Sequence, residues 1–154
     1  MQLAEFIDFD AIKTALPGGS KRALLQQLAN LAGQRCGAEP AAILATLNER
    51  EKLGSTGLGQ GVAIPHGKIE GLERIYGLFA RIAEPVDYKA IDGRKVDLVF
   101  LLLSPPDSGA EHLRALAAIS RVIREGSTLE KMRGARSRDA LAAVLLGADE
   151  RDAA

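Results

Sequence analysis

Val96-Asp97-Leu98-Val99-Phe100-Leu101-Leu102-Leu103 is the most strand-like run in this chain of 154 residues. Its nearly unbroken apolar character is typical of a strand covered on both faces, so we place it at the centre of a sheet. A second run, Ile75 to Ala83, is apolar on both alternating faces except at Arg81. Glu84-Pro85 is predicted to end that strand, because proline cannot donate to a β-ladder.

Five helices are predicted around these strands from the helical spacing of apolar residues. Ser20 is a good N-cap for the first helix, Gly37 a good terminator, and Pro40 fits the first turn of the second. The predicted helices lie at about 21–36, 40–53, 110–125, 129–133 and 138–147.

Strands that alternate with helices predict an α/β fold. We expect a single domain over residues 1–154, with a small mixed β-sheet flanked by helices on both faces. The core is expected at about 3–146, and the small and polar residues 148–154 are expected to form a frayed tail. A short strand is predicted at about 62–65. Residues 12–16 fit either a short first strand or the end of a helical turn.

Composition excludes several classes of function. Lys plus Arg equals Asp plus Glu, at 20 each, so nothing indicates a nucleic-acid or membrane surface. The single cysteine, Cys36, can form neither an internal disulfide nor a Cys-x-x-Cys metal site. The N-terminus shows neither a signal peptide nor an apolar span long enough to enter a membrane, and we expect a cytoplasmic protein.

Residues 49–68 carry the candidate chemistry. They run from a helix end through a loop with glycines at 54, 57, 59 and 61 into Val62-Ala63-Ile64 and then Pro65-His66-Gly67. Pro65 stiffens the approach to His66, and Gly67 allows backbone or a partner molecule to come close to the ring. This pattern indicates a reactive imidazole on display; the alternative is an ordinary loop histidine after a strand.

Several other groups could join His66. His112 is predicted in the first turn of a helix after the central strand, so the two strand ends can lie close together. Arg50 supplies a planar donor fork suited to phosphate, and Ser55 and Thr56 supply hydroxyl donors. Such a set suits a transient phosphohistidine, in which an imidazole attacks in line and donors hold the phosphoryl oxygens.

Less reactive interpretations stay open for these residues. His112 could cap its own helix or fill an apolar stripe, and Arg50 could pair with Glu49 or Glu51. The glycine loop lacks the Gly-Lys-Ser or Gly-Lys-Thr of a Walker A loop. The spacing of the two histidines does not match a metal motif, so we predict neither a metal nor a cofactor.

The combination Arg50-Glu51, Ser55-Thr56-Gly57-x-Gly59-x-Gly61 and Val62-Ala63-Ile64-Pro65-His66-Gly67-Lys68 resembles the type 2 EIIA domain of the bacterial phosphotransferase system, the mannitol and fructose class. The resemblance extends to Glu111-His112-Leu113. It implies a phosphotransferase component that is phosphorylated on Nε2 of His66, with Arg50 and His112 lining the site. Ser55, Thr56 and Gly67 would support phosphate binding.

The resemblance also implies partners. An HPr-like carrier, of the nitrogen-branch (NPr) type, would donate the phosphoryl group. The chain most resembles the stand-alone nitrogen-regulatory EIIA (PtsN type), whose phosphorylation state controls potassium transport systems or sensor kinases. A sugar-specific EIIA that serves a separate EIIB, or a binding module that does not transfer phosphate, remain alternatives. Gln60 departs from the family pattern, where Asn or His is expected.

Overall fold

The central strand pair is where the sequence predicts it. In the computed structural model, which describes residues 1–153 and the side chains of 1–150, β5 (Tyr76–Val86) pairs antiparallel with β6 (Val96–Ser104). The prediction that Glu84-Pro85 ends the first of these strands is wrong, since β5 continues to Val86. The pairing register shifts between Arg81 and Val86, which accommodates a proline without a backbone donor.

The sheet is mixed and has six strands in the described part of the chain. β1 (Lys13–Leu16) runs parallel to β5, so residues 13–16 form a strand rather than a helical turn. β3 (Val62–Ala63) runs parallel to β6 on its other side. Two strands were not predicted: β2 (Gly57–Gly59), antiparallel to β3, and β4 (His66–Lys68), parallel to the end of β6.

Helices cover both faces of this sheet, as predicted. Alternate residues of β6 point to opposite faces, so Leu101 and Leu103 belong to one core cluster while Phe100 and Leu102 belong to the other. The first cluster includes α1 (Lys21–Cys36) and α2 (Pro40–Lys52); the second includes α3 (Gly109–Arg124), α4 (Thr128–Gly134) and α5 (Arg138–Ala153). Among the described residues, none of these helices is long and apolar enough to cross a membrane.

The C-terminal segment differs from the frayed tail predicted at 148–154. Helix α5 continues to Ala153, and residue 154 lies outside the described part of the chain. Ala148 is fully buried, and the carboxylate of Asp149 accepts hydrogen bonds from the backbone N–H groups of Leu3 (2.9 Å) and Ala4 (3.2 Å). These contacts with the N-terminal 3-10 turn order the helix, and the sequence gives no local sign of them.

Candidate functional site

The candidate nucleophile lies where helix α2 packs against the edge of the sheet. His66 begins β4 and is paired with Leu102 of β6, whose side chain belongs to the α3 face. Gly67 is paired with Leu103 and faces α2, where an added Cβ would overlap the methyl group of Thr46. The missing side chain at Gly67 therefore lets α2 sit directly on β4.

Arg50 reaches His66 because of this close packing. Arg50 lies one helical turn after Thr46, on the same face of α2. Its Nε lies 3.3 Å from Nε2 of His66, and its Nη1 donates to the carbonyl of Gly54 at 2.9 Å. The pairing of Arg50 with Glu49 or Glu51 that the sequence left open is not observed. Glu49 pairs instead with Lys52 and Glu51 with Lys21, both at 2.8 Å.

The hydrogen bonds of His66 define its tautomer. Nδ1 lies 2.7 Å from the carbonyl oxygen of Ile64. A carbonyl only accepts, so Nδ1 carries the proton and the lone pair is on Nε2, next to Arg50. Burial lowers the pKa of His66, and the positive charge of Arg50 adds to this, although the Ile64 carbonyl opposes it. The lowered pKa favours the neutral ring, with its unprotonated Nε2 next to Arg50.

His112 lies beside His66 in the first turn of α3. The two ring centroids are 5.6 Å apart with an interplanar angle of 52°. Burial lowers the pKa of His112, and positive charge at His66 and Lys68 adds to the effect. The expectation that these two strand ends bring the histidines together is confirmed by the fold.

Ser104 orients His112, a contact that the sequence analysis missed. The Ser104 hydroxyl is fully buried and lies 2.6 Å from Nδ1 of His112. A serine hydroxyl can donate or accept. If it donates to Nδ1, the imidazole proton of His112 lies on Nε2. The available signal was the position of Ser104, the first polar residue after the central apolar run.

The hydroxyl groups of Ser55 and Thr56 are engaged within the protein. Ser55 Oγ donates to the carbonyl of Tyr88 at 3.0 Å and accepts from the Gly57 N–H at 3.1 Å. Thr56 is 3% exposed, and its hydroxyl contacts Glu51 and the Tyr88 hydroxyl. In this structure both residues shape the loop beside His66 rather than offer free hydroxyl donors.

The departure at Gln60 lies at the tip of the β2–β3 hairpin. Gln60 has a φ of 57°, its N–H donates to Asp92 at 2.9 Å, and its carbonyl accepts from Arg133 at 2.6 Å. These are backbone contacts, so the structure explains how the tip is held but gives no reason for glutamine itself.

Four exposed apolar side chains lie on segments that neighbour the site residues along the chain or through a backbone hydrogen bond. Leu53 is 84% exposed and lies next to Gly54, which binds Arg50, while Leu113 is 67% exposed and follows His112. Leu58 in β2 is exposed too, as is Ile91, whose N–H donates to Gly57 of the same strand. We call these four leucine and isoleucine side chains the apolar rim. Within the described residues, no three His, Cys, Asp or Glu side chains are placed to hold a metal.

Comparison with known proteins gives consistent matches over nearly the whole chain. Residues 5–147 match the family model described as phosphoenolpyruvate-dependent sugar phosphotransferase system, EIIA 2. A nitrogen regulatory protein of Bradyrhizobium diazoefficiens is 46% identical over 145 residues, covering 94% of this chain and 95% of the relative. The Escherichia coli nitrogen regulatory protein is 32% identical over 146 residues, covering 94% and 90%.

Solved structures of similar fold agree with these sequence matches. The nitrogen regulatory protein IIA-Ntr of Neisseria meningitidis superposes with a TM-score of 0.87 at 36% identity, covering 93% of this chain and 98% of that one. The mannitol IIA of Escherichia coli shares the fold, with a TM-score of 0.74 at 19% identity over 88% of this chain and 96% of that one.

Proposed function

The chain belongs to the EIIA type 2 family of the phosphoenolpyruvate-dependent sugar phosphotransferase system, and from this premise we propose that it is a phosphocarrier that accepts a phosphoryl group on Nε2 of His66. One observation carries the proposal. Nδ1 of His66 is bonded to the Ile64 carbonyl, which leaves the lone pair on Nε2, 3.3 Å from the guanidinium of Arg50.

The transfer step follows from this geometry. The Nε2 lone pair attacks the phosphorus of a phosphohistidine on the donor, a new N–P bond forms, and the donor's N–P bond breaks to release its imidazole. His66 keeps its proton on Nδ1, so its ring becomes positively charged once phosphorylated. The Ile64 carbonyl, 2.7 Å away, stabilises that charge.

Arg50 and His112 supply donors for the transferred group. The guanidinium of Arg50 is positively charged and adjacent to the attacking atom, so it can neutralise charge that spreads over the phosphoryl oxygens. With Nδ1 of His112 occupied by Ser104, its Nε2–H is available to a phosphoryl oxygen. Both imidazoles are neutral before transfer, so neither repels the other.

The apolar rim supports a protein as the phosphoryl donor. A small phosphate ester does not need exposed leucine and isoleucine side chains on the segments next to the site, whereas a docking protein buries such side chains. We therefore place an HPr-like carrier of the nitrogen branch on this surface, with its phosphohistidine entering between Arg50 and His112. The cytoplasm, where such carriers work, is the proposed location.

Regulation is the proposed output of the cycle. The relatives from Bradyrhizobium diazoefficiens and Escherichia coli are nitrogen regulatory proteins. By this likeness, the phosphorylated and unphosphorylated forms would bind regulated proteins, such as potassium transport systems or sensor kinases, with different affinity. Phosphorylation would add negative charge to this surface, beside the positively charged Arg50.

A sugar-transport role is the second candidate. A fructose-specific EIIA component of Haloferax volcanii is 38% identical over 104 residues, covering 68% of each chain. In that role, the phosphoryl group would pass from His66 to the cysteine of a separate EIIB protein. A binding module that keeps the fold but does not transfer phosphate is the third candidate.

The deciding experiment is the intact mass of the protein after incubation with phosphoenolpyruvate, the first phosphotransferase enzyme and an HPr-type carrier. We expect one added phosphoryl group that is lost in mild acid, absent in His66→Ala and present in the matched control His112→Ala. Labelling of His66→Ala would contradict the assignment. No labelling with either a sugar-branch or a nitrogen-branch carrier favours the binding module, and onward transfer to an EIIB cysteine favours sugar transport.

A further inference from the structure

Glu51 is the residue next to Arg50, but its side chain serves a different purpose. It is the acidic member of a partly buried ion pair with Lys21, and its own side chain is only 8% exposed. Adjacent helical residues point about 100° apart, so Arg50 reaches the sheet edge while Glu51 reaches the loop that follows α2.

The carboxylate of Glu51 accepts hydrogen bonds from two parts of the chain. Lys21 Nζ lies 2.8 Å from Oε1, and the Thr56 N–H donates to the same oxygen at 3.0 Å. The Thr56 hydroxyl donates to Oε2. Burial alone would raise the pKa of Glu51, but the bonds from Lys21 and Thr56 outweigh it and lower the pKa, so the carboxylate stays ionised.

Lys21 and Tyr88 hold this carboxylate in place. The Nζ of Lys21 lies 4.4 Å from the centroid of the fully buried Tyr88 ring, a favourable cation–π contact. The Tyr88 hydroxyl lies 3.1 Å from that of Thr56. Glu51 is therefore fixed from three sides, and its position is transmitted to Thr56.

From Thr56, backbone hydrogen bonds lead to His66. The Ile64 N–H donates to the Thr56 carbonyl at 3.0 Å, and Nδ1 of His66 donates to the Ile64 carbonyl at 2.7 Å. The Thr56 N–H in turn donates to Glu51. Each residue in this series fixes the position of the next, and the last bond sets the tautomer of the nucleophile.

We propose that Glu51 is a positioning residue that fixes the protonation and orientation of His66 through Thr56 and Ile64, an inference that rests on the proposed phosphoryl acceptance at His66. The route runs through the backbone N–H and C=O of Thr56, so its side-chain hydroxyl is secondary. A carboxylate is favoured here, because it carries the charge opposite to the Lys21 ammonium and offers two acceptor oxygens to Lys21 and Thr56, whereas an amide is neutral and has one.

The test compares Glu51→Gln with Glu49→Gln, a neighbouring carboxylate whose side chain is 72% exposed. The rate of phosphoryl transfer from the carrier and the imidazole nitrogen chemical shifts of unphosphorylated His66 are measured for each. For Glu51→Gln we expect a ten- to hundredfold lower kcat, an unchanged KM for the carrier and a loss of the Nδ1–H population, as misplaced groups cost about a hundredfold. Glu49→Gln is expected to match the parent protein.

A second variant separates the backbone hydrogen bonds of Thr56 from its side-chain hydroxyl. Thr56→Val removes the hydroxyl but keeps both backbone bonds, so it should retain the His66 tautomer and most of the rate. Unchanged nitrogen shifts in folded Glu51→Gln, whatever its rate, overturn the proposal. A kcat loss in Thr56→Val as large as in Glu51→Gln overturns the backbone route.

Two observations separate this inference from the proposed function and from misfolding. If the parent protein accepts no phosphoryl group, the proposed function fails, while the nitrogen shifts still test whether Glu51 fixes His66. If Glu51→Gln does not fold, hydrogen exchange in the parent protein decides: slow exchange of the Thr56 and Ile64 amides supports the series, and fast exchange at either contradicts it.

Discussion

Gly67 and Thr46 are in such close contact that an added Cβ at Gly67 would overlap the methyl group of Thr46. This contact sets the distance between α2 and β4, and therefore the distance between Arg50 and His66. From the sequence, Gly67 could admit either backbone or a partner molecule close to the ring of His66. In the structure its missing side chain admits helix α2.

Gly67→Ala is expected to slow phosphoryl acceptance while leaving most of the fold intact. The new methyl group must push α2 outward, which lengthens the 3.3 Å contact between Arg50 and His66. Overpacking of this kind costs about 1–3 kcal/mol of unfolding free energy. Denaturant unfolding and a single-turnover transfer assay measure the two effects. Gly134→Ala, where an added Cβ meets nothing within 4 Å, is the control and should keep the parent transfer rate.

Arg50→Lys is expected to lower the transfer rate about a hundredfold, as loss of one transition-state donor does in other enzymes. A lysine keeps the charge but cannot bind Gly54 and approach His66 at the same time, as the guanidinium does. Rapid-quench measurement of phosphoryl transfer tests this. Lys52→Gln, an exposed change two residues away, should have the parent rate; equal rates for Arg50→Lys and Lys52→Gln would make Arg50 dispensable.

The sequence predicts the large elements well because their causes are local. The apolar run at 96–103, the helix at 21–36 and the Ser20 cap depend on neighbours in the chain, and the structure contains all three. The strand beginning at His66 was missed because its three residues, His66-Gly67-Lys68, carry no strand pattern, and pairing with β6 alone creates it.

The site residues divide in the same way. Motif spacing identifies His66, Arg50 and His112 as candidates, and the fold brings all three together. The partners that orient them, Ser104 for His112 and Glu51 for the loop, make contacts over five to eight residues that depend on how the intervening loops fold. Their chemistry is ordinary, so the residue type alone does not single them out.

Both imidazoles are expected to titrate below the ordinary pKa of 6.5. The unfolded chain then binds more protons than the folded chain between the lowered pKa values and 6.5, so stability rises with pH across that window. The contribution of the two neutral histidines to the unfolding free energy is complete above the unfolded pKa. It is lost as the pH falls through the lowered pKa values of the folded state. NMR titration of the two rings measures the pKa values, and urea unfolding at several pH values measures stability.

The matched comparison for this pH effect is His112→Gln. Its unfolding free energy should fall less than that of the parent protein between about pH 7.5 and about pH 5.5. Transfer activity should persist below pH 6.5, because His66 keeps its neutral nucleophile there. Titration of both rings above 6.5 would show that burial does not control their protonation.

Asp149→Ala is expected to lower the unfolding free energy by about 1–3 kcal/mol, since it leaves the buried N–H of Leu3 without its acceptor and removes the partner of the Ala4 N–H. The variant tests whether the C-terminal helix, rather than a frayed tail, holds the N-terminal 3-10 turn. Thermal unfolding and amide exchange at Leu3 measure the effect. Glu150→Gln changes an exposed neighbour on the same helix and should unfold like the parent. If both variants have the parent stability, the bonds from Asp149 to Leu3 and Ala4 contribute little in solution, and the order of the helix beyond Gly147 must come from the packing of Ala148.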